Sequence, residues 1–443
     1  MANLTAREQL MLELINRARM DPRAEAARLD VHLSGAALAP KQILAGNDSL
    51  RLSAYNHSGW MLLNNEFSGT EQPGSQSFIG EGPPGRMKAY GYAFTGSYAY
   101  AENISWNGDV DTPDFTAKIV VQYEGLFRGG NSRARMLNDT YQEAGIGQQA
   151  GHFTDGGTAY LTSMVTQDFA RSGAKVFITG VIYKDDVATN DFYDVGEGIA
   201  SRKVFASDAA ADVAGPGGGY ELAFTTTGVK SIRFDLPGDD LKLDVLVGVE
   251  NVKVDAVNGR EIWTNTSIES QSAAIRELHA LGRSPLILIG GGANETLVGN
   301  VAGNTLIGQA GDDVLRGLGG NDELAGGRGR DTLNGGGGRD TLSGGSGPDA
   351  FVYSDAGQSR PKARDTISDF GDGGSDRIDL TALSPGVLSF VGKERAHALE
   401  VGVTASGGDV IVHINLDADL ADEMQIRLAA TRLSDISASD FIL

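Results

Sequence analysis

Residues 290–352 read GGGANETLV, GNVAGNTLI, GQAGDDVLR, GLGGNDELA, GGRGRDTLN, GGGGRDTLS and GGSGPDAFV, seven copies of one nonapeptide in unbroken phase. Position one is always Gly. Position eight is always large and apolar: Leu297, Leu306, Leu315, Leu324, Leu333, Leu342 and Phe351. From the third copy onward position six is Asp, at Asp313, Asp322, Asp331, Asp340 and Asp349. Glycines permit the positive φ of tight turns, and the last three residues suit a short strand whose large side chain points inward. Two copies would then make one coil of a flattened parallel solenoid. A flexible Gly-rich linker has no reason to hold seven copies in register.

Stacked coils lie about 4.8 Å apart. That spacing brings aspartates two copies apart together, Asp313 with Asp331, Asp322 with Asp340 and Asp331 with Asp349. They repel unless a cation lies between them, and Ca²⁺ suits a flexible loop of carboxylates and carbonyls better than Mg²⁺. The expected Ca²⁺ ligands are Asp313, Asp322, Asp331, Asp340 and Asp349, with Asp365, Asp369 and Asp376 as weaker ones. Glu295 and Asn304 occupy position six of the first two copies, with Ala293 and Ala302 where a loop glycine is expected. These copies read as a degenerate cap with weak or absent ion sites.

The period resembles the RTX, or haemolysin-type calcium-binding, parallel β-roll. Beyond it, DTISDFGDGGSDRIDLTAL (365–383) and INLDADLADEMQIRL (414–428) resemble the C-terminal domain of the serralysin group, so the resemblance covers nearly all of 290–443. It implies an extracellular protein of a Gram-negative bacterium, secreted through a type I exporter on an uncleaved C-terminal signal. The closing residues Ser437 to Leu443 look like that family's ending.

Composition sets further bounds. A formal charge of −21 over 443 residues argues against nucleic acid or an anionic membrane as partner, since polyanion binders need clustered Lys and Arg. Residues 290–443 hold 23 acidic and 12 basic residues, about half of the excess, so without Ca²⁺ this third should be held open by self-repulsion. The absence of Cys removes disulfides, thiolate zinc sites and cysteine catalysis. The first residues lead straight into a polar helix start without an apolar leader, and no stretch is apolar enough for a transmembrane segment.

The expected architecture is multidomain α+β: an N-terminal α/β/α sandwich (1–172), a small antiparallel β-sandwich (173–265), a linker (266–289), the repeat (290–352) as a parallel β-roll, and a roll cap with the secretion signal (353–443). Thr5 and Glu8 have capping-box spacing before a first helix with Met11, Leu14, Ile15 and Ala18 on one face, stopped by Asp21-Pro22. A second helix spans about 50–67 with Leu52, Trp60, Leu63 and Phe67 inward. Residues 69–96 read as a long loop, 116–127 as a helix and 157–169 as a strand. VFITGVIY, YELAFTT, KSIRFDL, LKLDVLVGV and ENVKVDAV form the β-rich middle. A linking helix is expected at 270–281.

EQLMLELINRARMDP (8–22), LSAYNHSGWMLLNNEFS (52–68), AENI (101–104) and RMLNDTYQEAGIG (135–147) resemble, in this order, bacterial members of the CAP (SCP-like) superfamily. Many members gather two His and two acidic residues in a cleft suited to zinc. Here Glu102 matches one acidic position, while Gly69 and Ser132 stand where the two histidines are expected. His57, Glu102 and Glu124 are the cleft candidates. A buried carboxylate bound by backbone N–H groups is the plainer reading of Glu102, and a structural histidine that of His57.

Asp186, Asn190, Asp194 and Glu197 have EF-hand-like spacing and form a further Ca²⁺ candidate, although Ala188 and Asp191 depart from the pattern at positions three and six. An acidic surface turn is the equal alternative. None of His32, His57, His152, His279, His397 and His413 stands in a His-Glu-x-x-His frame, and no serine in Gly-x-Ser-x-Gly. The expectation is therefore a non-enzymatic, calcium-loaded exported protein with the CAP domain as recognition head for an unassigned ligand. A hydrolase acting through the CAP cleft and a structural surface or matrix protein are the alternatives.

Overall fold

The computed structural model describes residues 3–371, 375–383, 388–392, 399–417 and 421–443; His397 and parts of the quoted stretches 365–383 and 414–428 lie outside them. The chain is mixed α/β, mostly strand, in two compact units: Met1–Asp240 with Leu246–Gly259, and Leu241–Val245 with Arg260–Leu443. Among the described residues no helix is long and apolar enough to cross a membrane.

In the first unit α1 (Ala6–Met20) starts at the expected capping box, with the Thr5 N–H donating to Glu8 Oε2 at 2.8 Å. Met11, Leu14, Ile15 and Ala18 are buried. Asp21 ends α1 and caps α2 (Pro22–Arg28), accepting from the Ala24 N–H. A four-stranded sheet follows, formed by β1 (Ala45–Gly46), β2 (Tyr98–Asp109), β3 (Glu143–Asp155) and β4 (Thr158–Ser172) in the order β1-β3-β4-β2. Alternation along β3 assigns the layers. A Cβ on Gly145 or Gly147 would strike the backbone of α3 (Asp48–Asn64), whereas the side chain of Gln148, on the opposite face, donates to the Phe115 carbonyl at the start of α5 (Phe115–Arg128), and its backbone N–H donates to Glu8 of α1. The expected three layers are therefore present.

Two local expectations fail. Trp60 is buried, but Leu63 and Phe67 are 50% and 44% exposed, and the helix stops at Asn64 with Asn65 left-handed. The inward face of α3 is instead Leu50, Ser53, Ala54, His57, Ser58, Trp60 and Met61, and the helix lies directly on the two glycines of β3 at Leu50–Arg51 and Ala54–Tyr55. The long loop at 69–96 contains a helix, α4 (Pro83–Ala89), opened by Pro83 and Pro84 at positions that need no N–H. After α5, α6 (Gly130–Met136) and β4, β5 (Val176–Tyr183) pairs antiparallel with Gly219–Phe224 but parallel with Val252–Val257, so the middle region is not wholly antiparallel. It packs on the helical layer: Lys253 Nζ reaches Glu13 at 2.6 Å and Asp255 at 2.7 Å, and Asn251 donates to the Ile43 and Gln142 carbonyls.

The second unit is built from two stacks of short parallel strands. One runs through Glu261–Thr264, Glu277–Ala280, Thr296–Val298, Val314–Arg316, Thr332–Asn334 and Ala350–Val352 to Arg377–Asp379 and Phe441–Ile442. The other runs through Ile268–Ser270, Ile287–Ile289, Thr305–Ala310, Glu323–Arg328, Thr341–Ser346 and Asp365–Ile367 to Met424–Leu428, then turns antiparallel through Asp409–Asn415 and Glu400–Ser406. Leu297 pairs with Leu315, Leu333 and Phe351 in succession, and Leu306 with Leu324 and Leu342, so two nonapeptides make one coil. Each position-eight side chain is at most 1% exposed, a burial that stabilises by about 1.5–3 kcal/mol per residue. The helix expected at 270–281 does not form. Leu278, whose spacing from Ile275 suits a helix, is in register with Leu297, and 266–289 carries strands of the stacks where a linker was expected. Pairing with the neighbouring coil overrides local propensity.

Gly147→Ala should destabilise the first unit by about 3 kcal/mol, because its Cβ would lie 2.0 Å from the Tyr55 backbone nitrogen. Gly125→Ala, in α5 with nothing within 4 Å, should stabilise it by about 0.5–1 kcal/mol. Denaturant unfolding followed by the emission of Trp60 and Trp106 reads both; equal midpoints would refute the close packing of α3 on β3.

Candidate functional sites

Position six of the nonapeptides forms two hydrogen-bonded ladders. In the first, the N–H of Glu295 donates to Asp313 Oδ1, that of Asp313 to Asp331, that of Asp331 to Asp349 and that of Asp349 to Asp376. In the second, Asn304 donates to Asp322, Asp322 to Asp340 and Asp340 to Asp365. Each bond is 2.6 to 3.1 Å long. One carboxylate oxygen therefore holds the previous coil in register. The other, Oδ2 of Asp313, Asp322, Asp331, Asp340, Asp349 and Asp365, is buried without a hydrogen-bond partner.

Burial pushes these carboxyls up against the opposing effect of the N–H bond: Asp313 to about 6, Asp322 and Asp331 to about 7, and Asp365 to about 8. Asp340 and Asp349 are raised for the same reason. Position one explains itself beside them. A Cβ on Gly308, Gly317 or Gly326 would come within 2.4 Å of the Oδ2 of its own copy's aspartate, and on Gly335 or Gly344 within 2.3 Å. The unpartnered oxygens of Asp313, Asp322, Asp331, Asp340 and Asp349 thus sit in cradles that only glycine leaves open, and hard oxygen donors unpaired in such a cradle fit Ca²⁺.

The ends of the ladders differ. Glu295 accepts from the Gly291 N–H and the Ser270 hydroxyl, and Asn304 accepts from the Asn300 N–H, so neither offers a buried carboxylate oxygen without a partner. Asp376 accepts from Gly371 as well as from Asp349. Asp369 is off the ladders: it receives the Ser343 hydroxyl and the Gly344 and Gly345 N–H groups and ties down a loop.

The EF-hand-like set does not converge on an ion position. Glu197 accepts from Val187, Ala188 and Asp194, Asp194 accepts from Asn190, and Asp186 pairs with Lys184. Asp185, which spacing passes over, takes the Asn190 and Asp191 N–H groups. Backbone donors of the loop use these oxygens, which is the surface-turn alternative in a partly buried form.

In the first unit, Gly69, Ser132 and Glu102 line one cavity of about 770 Å³ with Tyr100, Arg135 and Tyr141. The two positions where histidines are expected do meet at Glu102, without an imidazole at either. A Cβ on Gly69 would be 3.2 Å from Glu102 Oε1. Behind Glu102 lies a buried charge cluster. His57 Nδ1 is 3.0 Å from Glu71 and Nε2 is 3.8 Å from Glu102. Arg86, fully buried, pairs with Glu102, lies 3.8 Å from Glu71 and donates to the Gly69 carbonyl. Asp168, opposite Glu102 on β4, is held well above the usual carboxylate range by burial and by the charge of Glu102. Glu124 does not join: it pairs with Arg28 and Arg128. His152 is exposed on β3.

A guanidinium thus stands on the carboxylate that a transition metal would need, and the residues present do not fit such an ion. Sequence reasoning missed Glu71, Arg86 and Asp168. The first two lie in the Gly- and Pro-rich stretch, where no periodicity marks them. Asp168 carried a signal, a carboxylate within a fully buried strand segment, that could have been found.

The model of the family described as Peptidase M10 serralysin C terminal matches residues 289–443. No curated protein matches the chain. Among solved structures, an extracellular protein containing an SCP domain from Bacillus anthracis is 19% identical, covering 38% of this chain and 40% of that one, with a TM-score of 0.25. Two subunits of the Azotobacter vinelandii mannuronan C5-epimerase are 28% and 26% identical, covering 35% and 36% of this chain and 80% and 92% of theirs, with TM-scores of 0.20 and 0.21. This chain spans 40% of the length of the SCP-domain protein. The C-terminal third, residues 289–443, thus matches the serralysin C-terminal family and is built as a parallel β-roll.

Proposed function

We propose that this chain is a secreted calcium-binding protein whose roll folds on Ca²⁺ after passage through a type I exporter, with its N-terminal domain as an extracellular recognition head. The observation that carries the reading is the row of unpartnered Oδ2 atoms on Asp313, Asp322, Asp331, Asp340, Asp349 and Asp365. Ca²⁺ supplies the positive charge these oxygens lack. The aspartates supply register, since each fixes the coil before it through Oδ1, and glycine at position one keeps space beside Oδ2. In a cytosol poor in Ca²⁺ the uncompensated carboxylates oppose stacking, which favours a threadable chain; extracellular modules bind at about 10⁻⁴–10⁻³ M and would close the roll outside. The cavity at Glu102 lies within the about 300–1,000 Å³ of ligand clefts, which supports recognition. Arg86 already neutralises Glu102, which weighs against a hydrolase that needs this carboxylate free.

In a far-UV circular dichroism titration of the full chain with Ca²⁺, Asp331→Asn, which keeps an oxygen acceptor but removes the charge, should raise the midpoint about tenfold, or about 1.4 kcal/mol. Glu295→Gln should leave it within about twofold. Equal midpoints for the two variants would show that the unpartnered oxygens do not bind the ion.

Chelation should act on one unit only. With EGTA the melting of the second unit should fall by the linkage contribution, about 2.7 kcal/mol when Ca²⁺ was present at 100 times its Kd, while that of the first unit stays in place. A loss shared by both units, or by neither, would contradict calcium-coupled folding of the roll.

A further inference from the structure

Outside both sites, the first coil pair of the second unit gathers three donors that neither the calcium ladder nor the nonapeptide includes. Strands Glu261–Thr264 and Glu277–Ala280 pair in parallel, with Glu261 beside Glu277 and Trp263 beside His279. Ile262 and Leu278 are fully buried in the core, so alternation puts Glu261, Glu277 and His279 together on the outer face. One ligand atom from each lies within 4.8 Å of the others. His279 Nε2 is 3.1 Å from Glu277 Oε2. The Trp263 ring stacks on the imidazole at 4.3 Å between centroids and 9° between planes, fixing the direction of the ring nitrogens. The next strand presents Thr296 and Val298 in these rows, so the donors are confined to this pair.

We infer that Glu261, Glu277 and His279 form a binding site for a borderline divalent cation of the zinc type. Two carboxylates directly opposite one another on neighbouring strands repel, and here an imidazole nitrogen faces the same point. Ca²⁺ and Mg²⁺ take oxygen ligands, whereas Zn²⁺ accepts imidazole and carboxylate together. Three protein ligands leave a fourth position for water or for a donor from a bound molecule. The packing of Trp263 against His279 acts as an outer shell that orients the ligand. The site shares no residue with the calcium ladders and does not depend on the function proposed above.

The test titrates ZnCl₂ into the full chain held in saturating Ca²⁺, by calorimetry and by tryptophan emission, with MgCl₂ as control. Wild type should show a zinc-binding event absent with Mg²⁺. His279→Ala, Glu277→Gln and Glu261→Gln should each weaken it at least about tenfold; the two Gln variants conserve shape if loss of the imidazole disturbs packing. Trp263→Phe should keep binding but lose the emission change, which locates the ion beside this ring rather than near Trp60 and His57. Zinc affinity unchanged in all three ligand variants, or no zinc binding by wild type, would overturn the site.

Discussion

The second unit depends on a division of labour within one carboxylate. Oδ1 of Asp313, Asp322, Asp331, Asp340 and Asp349 accepts an N–H from the residue 18 positions earlier, and Oδ2 accepts nothing. The first oxygen specifies register in the way a side-chain cap specifies a helix start. The second is buried without a partner, so burial penalises its charged form. The obligatory glycine, the acidic excess and the expected need for a cation all derive from this arrangement. A side chain at position one would clash with Oδ2, and Asn at position six, as at Asn304, keeps an acceptor without offering the charge.

The first unit handles buried carboxylates differently. Glu71 and Glu102 share the guanidinium of Arg86, Glu13 and Asp255 share the ammonium of Lys253, and burial raises the Asp168 carboxyl well above the usual carboxylate range. The compensating cations are covalently part of the chain. The Arg86 guanidinium on Glu102 also leaves the cleft where Gly69, Ser132 and Glu102 converge without the donors for a transition metal. Charge compensation from inside or outside the chain separates the two units chemically.

The solenoid was legible in the sequence because its rule is local and repeated: nine residues suffice to read turn, strand and inward side chain. Thr5 and Glu8 were legible for the same reason. Leu63 and Phe67 were misread because hydrophobicity was taken as the signal for the buried face of α3, whereas that face also carries Ser53, His57 and Ser58 and ends at Met61, with the helix stopping at Asn64 before Phe67. Residues 270–281 were misread because a parallel strand of three or four residues leaves almost no period of its own, and its partners lie a coil away. Arg86 and Glu71 meet His57 only through the tertiary fold, so no spacing announces them.

The ladders also continue after the nonapeptide ends, and this locates the constraint. Asp340 donates to Asp365 across 25 residues at 2.8 Å and Asp349 to Asp376 across 27 at 3.1 Å, beside 2.8 Å for the 18-residue step from Asp313 to Asp331. What is conserved is the coil-to-coil step, and extra chain is accommodated in the loops. On the longer ladder the two ends are closed by protein donors, Gly291 and Ser270 at Glu295 and Gly371 at Asp376, while Asp313, Asp331 and Asp349 between them are left unpartnered. Demand for a cation is thus concentrated in the interior of the stack, where a coil with neighbours on both sides leaves water no access to the oxygens.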